Sequence, residues 1–495
     1  MKNQYILSLL FLLAGKPLLA QNVFHNREFW ATKPSVEVVK QKIAEGNDIL
    51  EMGPGGWDGP LLAIMADCDY ETVKFILDQP GIDVNVITHH SNNYLMWTTQ
   101  KGNVPVMKLL LEKGSKTDII NSHGQSFLMH AALSGKADPE IYDLCLKNGG
   151  DLVNDKDEQG CSVMLAAIGN LKDLSFLNYF VSKGLSLNDT DSEGNGLFHY
   201  AVPSGNVKTL KELVAMGVSY TPNAAGENAF SFIGRGRGGR ISSDILHYLK
   251  SLGLDPSVKA VNGQTLVHTV ARVGADESIL TFLEENKMNL SAVDNEGNTP
   301  LILASARGNE KILTYWLKTN DVNFRNKNGV TALIQAVATN TPAAVKLLLD
   351  KGAEVTVRDN GGHDLFYHLV SSYSNGRGSL ERFNEKLTLL TAKGLNITKR
   401  KDTSSLLHEA LAKNDTELLK KLLSTGLDIN AKDKDGYTLL HYSAMKAKDL
   451  NLLKFLTENG ADARIATEFD ETIFDLIAEN EILGGQNLNL DFLKK

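Results

Sequence analysis

Two consecutive segments with one shared layout constrain this chain more than any other feature. DNEGNTPLILASARGNEKILTYWLKTNDVNFRN and KNGVTALIQAVATNTPAAVKLLLDKGAEVTVRD together occupy residues 294–359. Each opens on a polar turn ending in glycine, and Gly297 and Gly329 stand 32 residues apart. Each continues as a short apolar helix, a turn, a second apolar helix and an extended exit. Thr299 is placed to cap the first helix, with Pro300 in its first turn, and Gly308 follows its end. Asn309 is placed to cap the second, whose Ile312, Leu313, Trp316 and Leu317 form one apolar stripe. In the next segment Thr341 and Pro342 begin the second helix and Gly352 ends it. A helix pair this short cannot bury its apolar faces alone, so it requires a similar pair on each side.

The turn glycines show how far that pattern runs. They fall at Gly124, Gly160, Gly194, Gly226, Gly263, Gly297, Gly329 and Gly362, with Thr403, Gly436 and Glu471 in the slots that follow. Second-helix ends repeat as SKGLSL, AMGVSY, DKGAEV, AKGLNI, STGLDI and ENGADA, each a helix terminus, a left-handed glycine and an extended exit. These spacings predict about fourteen helix–turn–helix units over residues 21–495, with no linker and no second domain. A degenerate N-terminal cap at about 24–55 and a polar C-terminal cap at about 471–495 close the array.

The first residues stand apart. MKNQYILSLLFLLAGKPLLA has Lys2, an apolar run over 5–14, and a small residue at Ala20. Residues 1–20 read as a secretory signal peptide cut after Ala20, although Leu18 is larger than the position three before a cut prefers. The run is too short for the ~20 residues of a spanning helix. Export to a periplasm or beyond is the expectation. Losing Lys2 and Lys16 would move the formal charge from −8 to −10, which disfavours nucleic acid as a partner. Cys68, Cys145 and Cys161 are too few and too scattered for a disulfide framework. They read as free packing thiols.

The chain resembles the ankyrin-repeat family, in a secreted bacterial form. The resemblance rests on NTPLILASARGNEKIL, VTALIQAVATNTPAAVKLLLDKGAEV, SSLLHEALAKNDTELLKKLLSTGLDINAKDKD and YTLLHYSAMKAKDLNLLKFLTENGADA. It implies an all-α solenoid of antiparallel helix pairs, with β-turns projecting at one edge and a concave face. It also implies a non-catalytic role, binding an unidentified protein partner through the turn tips and first helices. The chain is expected to work as a monomer, without cofactor, metal or membrane span.

Four groups of residues are weighed against chemistry. His199, His268, His408 and His441 recur five residues after the turn slot. The resemblance makes them structural, and most stand in units too far apart to share a metal. DKDEQG at 155–160 and DTDSEG at 189–194 begin like calcium loops. Their twelfth positions are Ala166 and Tyr200, where a calcium loop requires a bidentate Glu. GRGRGGR at 234–240 formally contains a glycine motif of dinucleotide sites, at Gly234, Gly236 and Gly239, but lacks the preceding strand. Its Arg235, Arg237 and Arg240 could hold an anion. With the related SSYSNGRGSLER at 371–382, which carries Arg377, it defines an alternative reading as a small-molecule or anion-binding protein or enzyme. Both insertions are expected as loops between the two helices of a unit.

Overall fold

A computed structural model describes residues 22–235, 241–374, 376–397, 403–413 and 415–494. The chain forms two compact units divided between Phe232 and Ile233. Both are built from helices, twenty-six α-helices among the described residues. Among the described residues there is no β-strand, only four isolated bridges within turns.

The first unit runs through six helix pairs, from Arg27–Ala31 and Val36–Ala44 to Leu197–Ala201 and Val207–Ala215. It ends in the 3-10 helix Ala229–Phe232. The second unit opens with Ser243–Ser251. Six pairs follow, from Leu266–Val273 and Glu277–Glu285 to Leu439–Lys446 and Asn451–Glu458. Ile473–Glu479 and the 3-10 helix Asp491–Lys494 complete it. The expected all-α repeat of helix pairs is what the chain forms.

Local chemistry starts these helices. Thr299 Oγ1 accepts from the Ile302 N–H at 3.3 Å, and Asn309 Oδ1 accepts from the Ile312 N–H at 3.0 Å. Thr341 caps Pro342–Asp350 in the same way. Gly352 ends that helix with φ +89°. Such helices, many of five to nine residues, are far below the ~12–15 residues at which an isolated helix becomes even marginal in water. Packing therefore sustains them. In the second unit, first helices pack on first helices (Leu266–Val273, Pro300–Ala304, Ala332–Thr339, Leu365–Ser371) and second helices on second helices. Leu313, Trp316, Val345 and Leu348 are wholly buried between them, each contributing on the order of 1.5–3 kcal/mol.

One turn chemistry recurs along the hairpin edge. An Asp or Asn opens the turn, and its side chain accepts the N–H groups two and four residues on. Asp191 does so from Glu193 and Asn195, Asp294 from Glu296 and Asn298, and Asp433 from Asp435 and Tyr437. Successive turns are then joined by a backbone rung. The Ser192 N–H donates to Gln159 O, and Ala224 to Glu193 O. In the second unit Asn295 donates to Asn262 O, Lys327 to Glu296 O and Asn360 to Asn328 O. Gly297 has φ +77°, and a Cβ there would sit 3.0 Å from the Lys327 nitrogen. The glycine thus serves both the left-handed turn and the close approach of the next turn.

Three expectations are corrected. Thr403 is not a turn residue but opens the helix Thr403–Ala412. The last turn begins at Thr467, whose hydroxyl accepts from Phe469 and Glu471. The left-handed residue is therefore Asp470, φ +60°, and not Glu471. The insertion at 371–382 is only partly a loop. Its last four residues are helical, and they lengthen the second helix, Ser379–Ala392, to 14 residues against nine in Pro342–Asp350.

Candidate functional site

Of the three arginines expected to meet an anion, Arg235 is exposed just after the left-handed Gly234. Gly234 lies against Thr269, whose Cγ2 would be 2.8 Å from a Cβ at that position. Arg237 and Arg240 lie outside the described residues.

The second insertion builds a defined cavity. The lengthened helix carries Ser379, Arg382, Phe383 and Lys386 on one face, at the i, i+3, i+4, i+7 spacing of a helix. They line a pocket of about 200 Å³ with Thr339, Asn340, Leu369, Ser372, Tyr373 and Ser374. Lys386 is only 7% exposed. Its ammonium donates to Val337 O at 2.8 Å, near the end of Ala332–Thr339, where a cation is favoured by the helix dipole. Burial, with the Arg382 guanidinium beside it, lowers its pKa to about 8. Arg382 donates to Ser379 Oγ at 3.1 Å and to Arg377 O at 3.4 Å. The Tyr373 phenol donates to Asp415 Oδ2 at 2.6 Å. Burial and that carboxylate push Tyr373 up to about 12. Sequence reasoning missed Lys386. The signal available was a lysine in the apolar register of an over-long second helix.

A second constellation lies on the hairpin side of the first unit. Trp57, His89 and Trp97 cluster with ring centroids 4.8, 5.6 and 6.4 Å apart. Arg27 sits over Trp57 at 4.4 Å. His90 adjoins His89 at 3.9 Å and His123 at 4.7 Å. His90 Nδ1 and His123 Nε2 are 3.2 Å apart. His90 and Ser91 both adopt left-handed backbone, φ +58° and +59°. Ser91 occupies the slot that glycine fills in other turns, so the turn carries strain of order 1–3 kcal/mol per residue. Ile87 and Ile120, both four residues before the left-handed slot, are 53% and 58% exposed. These residues come from four successive units, which is why spacing within one unit did not reveal them.

The other candidates serve the fold. His268 Nδ1 accepts from the Thr265 N–H at 3.1 Å, and His441 Nδ1 from the Thr438 N–H at 2.9 Å. His441 Nε2 lies 2.9 Å from Ile465 O in the next turn, so it carries the proton and donates. His199 Nδ1 accepts from Gly196 in the same manner. In the two acidic turns Asp157 and Asp191 accept from backbone, as the general turn pattern requires. Cys68, Cys145 and Cys161 are buried and free. Burial pushes Cys68 and Cys161 up to about 11, and Cys145 upward as well. That leaves little thiolate at neutral pH. Among the described residues no cluster of three or more His, Cys, Asp or Glu could hold a metal ion. None of the described helices is long and apolar enough to cross a membrane.

Family models agree with this architecture. A model of ankyrin repeats in three copies matches residues 61–152, 239–324 and 267–359, and one of many-copy ankyrin repeats matches 407–457. The chain belongs to the ankyrin-repeat family. It is similar to human transient receptor potential cation channel subfamily A member 1, with 24% identity over 83% of this chain and 31% of that protein. Mouse protein phosphatase 1 regulatory subunit 12A is 39% identical over 17% of this chain and 8% of its own length. Rat nuclear factor NF-kappa-B p105 subunit is 30% identical over 37% of this chain and 19% of its own. The chain thus spans under a third of each of these relatives. Repeats of this family generally mediate protein–protein interaction.

Proposed function

We propose that this protein is a non-catalytic interaction scaffold of the cell envelope, binding a protein partner through its hairpin tips and first helices. The observation that carries the reading is the convergence of Trp57, His89, His90 and His123 from successive units of the stack, over the buried Trp97. Tryptophan and arginine dominate the energetics of protein interfaces, and here Arg27 lies over the partly exposed Trp57. Ile87 and Ile120 extend the surface with apolar side chains that the fold does not bury. A relative named as a regulatory subunit of a phosphatase fits a module that acts on another protein.

The test uses residues 21–495 as bait in envelope extract, beside a Trp57→Ala, Ile87→Ala double variant. A stoichiometric partner should bind the first, and the variant should bind it at least about tenfold more weakly. Equal retention by both, with unchanged circular dichroism, would remove this face from the reading. The apolar run at 5–14 supports export. Mass spectrometry of the protein from its native cell should find an N-terminus at Gln21, and an intact Met1 terminus would overturn the envelope assignment.

A further inference from the structure

We propose that the cavity between Ala332–Thr339, Leu365–Ser371 and Ser379–Ala392 binds a small oxyanion, a phosphate or a short carboxylate, seated between Lys386 and Arg382. Three observations converge on it. The first is charge. Among the described residues, neither cation has a carboxylate within ion-pair distance. The acidic group tied to the pocket lining, Asp415, accepts the Tyr373 hydroxyl. Lys386 is 93% removed from solvent with Arg382 as its charged neighbour. Two like charges facing one cavity, one of them desolvated, are compensated by an anion in that cavity.

The second is the donor inventory. Lys386 has three N–H groups and donates one to Val337 O. Arg382 has five and directs two to Ser379 Oγ and Arg377 O. The remaining donors, with the Ser374 hydroxyl in the lining, suit the several lone pairs of an oxyanion; the Ser372 hydroxyl already donates to Leu369 O at 3.4 Å. The third is size and origin. About 200 Å³ is below the ~300–1,000 Å³ of drug-sized sites, so the ligand is a few heavy atoms. The helix extension that supplies Ser379 and Arg382 is absent from the neighbouring nine-residue second helix, Pro342–Asp350, so pairing of helices does not demand it.

Calorimetric titration of the full chain with inorganic phosphate and, separately, with succinate distinguishes the two oxyanion classes, with sodium chloride as the control. At least one should bind with a dissociation constant below about 1 mM. Lys386→Met and Arg382→Gln should each weaken it by at least about tenfold. Lys386→Met should also leave the anion-free protein as stable as wild type or more so, because it removes a desolvated charge. Arg382 is exposed, so its variant keeps the test valid if Lys386→Met does not fold. Absence of binding by both anions, a chloride response of equal size, or unchanged affinity in Arg382→Gln would overturn the assignment. The partner test above bears on the other unit and can fail independently.

Discussion

Trp316→Ala is expected to destabilise the second unit by about 3–5 kcal/mol, the cost typical of removing a large aromatic side chain from a core. Trp316 is wholly buried in the second helix Glu310–Trp316, which packs on Pro342–Asp350. A pair of short helices has no local stability to fall back on. Because each unit of a solenoid is held by its neighbours, a void there weakens both adjoining interfaces. Urea unfolding followed by circular dichroism should show a lower midpoint and a broader or divided transition. Trp316→Phe should cost much less. The indole Nε1 is buried without a hydrogen-bond partner, and Phe removes that desolvated donor, worth about 1–3 kcal/mol, while keeping most of the apolar volume. Equal losses in the two variants would show that the indole itself is required.

The second large effect is acid sensitivity. Burial lowers His130 to about 4, and burial also lowers His268, His368, His408 and His441. The folded chain therefore holds these rings neutral where the unfolded chain takes up a proton near pH ~6.5. Their contribution is complete above that pH and is lost as pH falls through the folded values, down to about 4 for His130. Each ring adds a slope of at most about 1.4 kcal/mol per pH unit. Asp58 and Asp155, raised by burial, act in the opposite sense. They bind protons more readily in the folded chain and offset part of the loss. Urea midpoints should fall steeply as pH drops from ~6.5 to ~4. His441→Asn places its Oδ1 where Nδ1 accepts the Thr438 N–H but cannot titrate, so its profile should be shallower. A profile parallel to wild type would mean that His441 is not among the groups responsible.

Much of the fold could be read from single residues because its rules act over a few positions. Thr299, Asn309 and Thr341 cap the helices that their side chains indicated. Gly297 and Gly329 mark turns whose left-handed backbone few other residues adopt cheaply. His268 and His441 proved structural through bonds to Thr265 and Thr438, three residues away, and His441 also through its bond to Ile465 O. Where the rule allowed a substitute, the reading slipped. Asp470 tolerates the left-handed conformation, so the absence of glycine displaced the expected slot by one residue. The candidate sites were hidden for another reason. Lys386 meets Val337 across 49 residues, and Trp57 meets His89 and Trp97 through the stacking of units. Such meetings depend on the rise and rotation between neighbouring pairs, which no local pattern of apolar residues encodes. A buried lysine also looks like any surface lysine until the helix in front of it is known.

The backbone rungs between turns have a mechanical consequence. Within each unit, Ser192 to Gln159, Ala224 to Glu193, Lys327 to Glu296 and Asn360 to Asn328 tie one edge of the stack with short, directional bonds, whereas the helices behind them meet mainly through packed side chains, with scattered side-chain bonds such as Lys386 to Val337 O and Tyr179 to Asp143. Directional bonds resist separation over a fraction of an ångström; dispersion contacts slide. Under load the tied edge behaves as a hinge line and the helical side as the compliant one. Bending that spreads the helices while keeping the tips in register is then the softest deformation available to each unit.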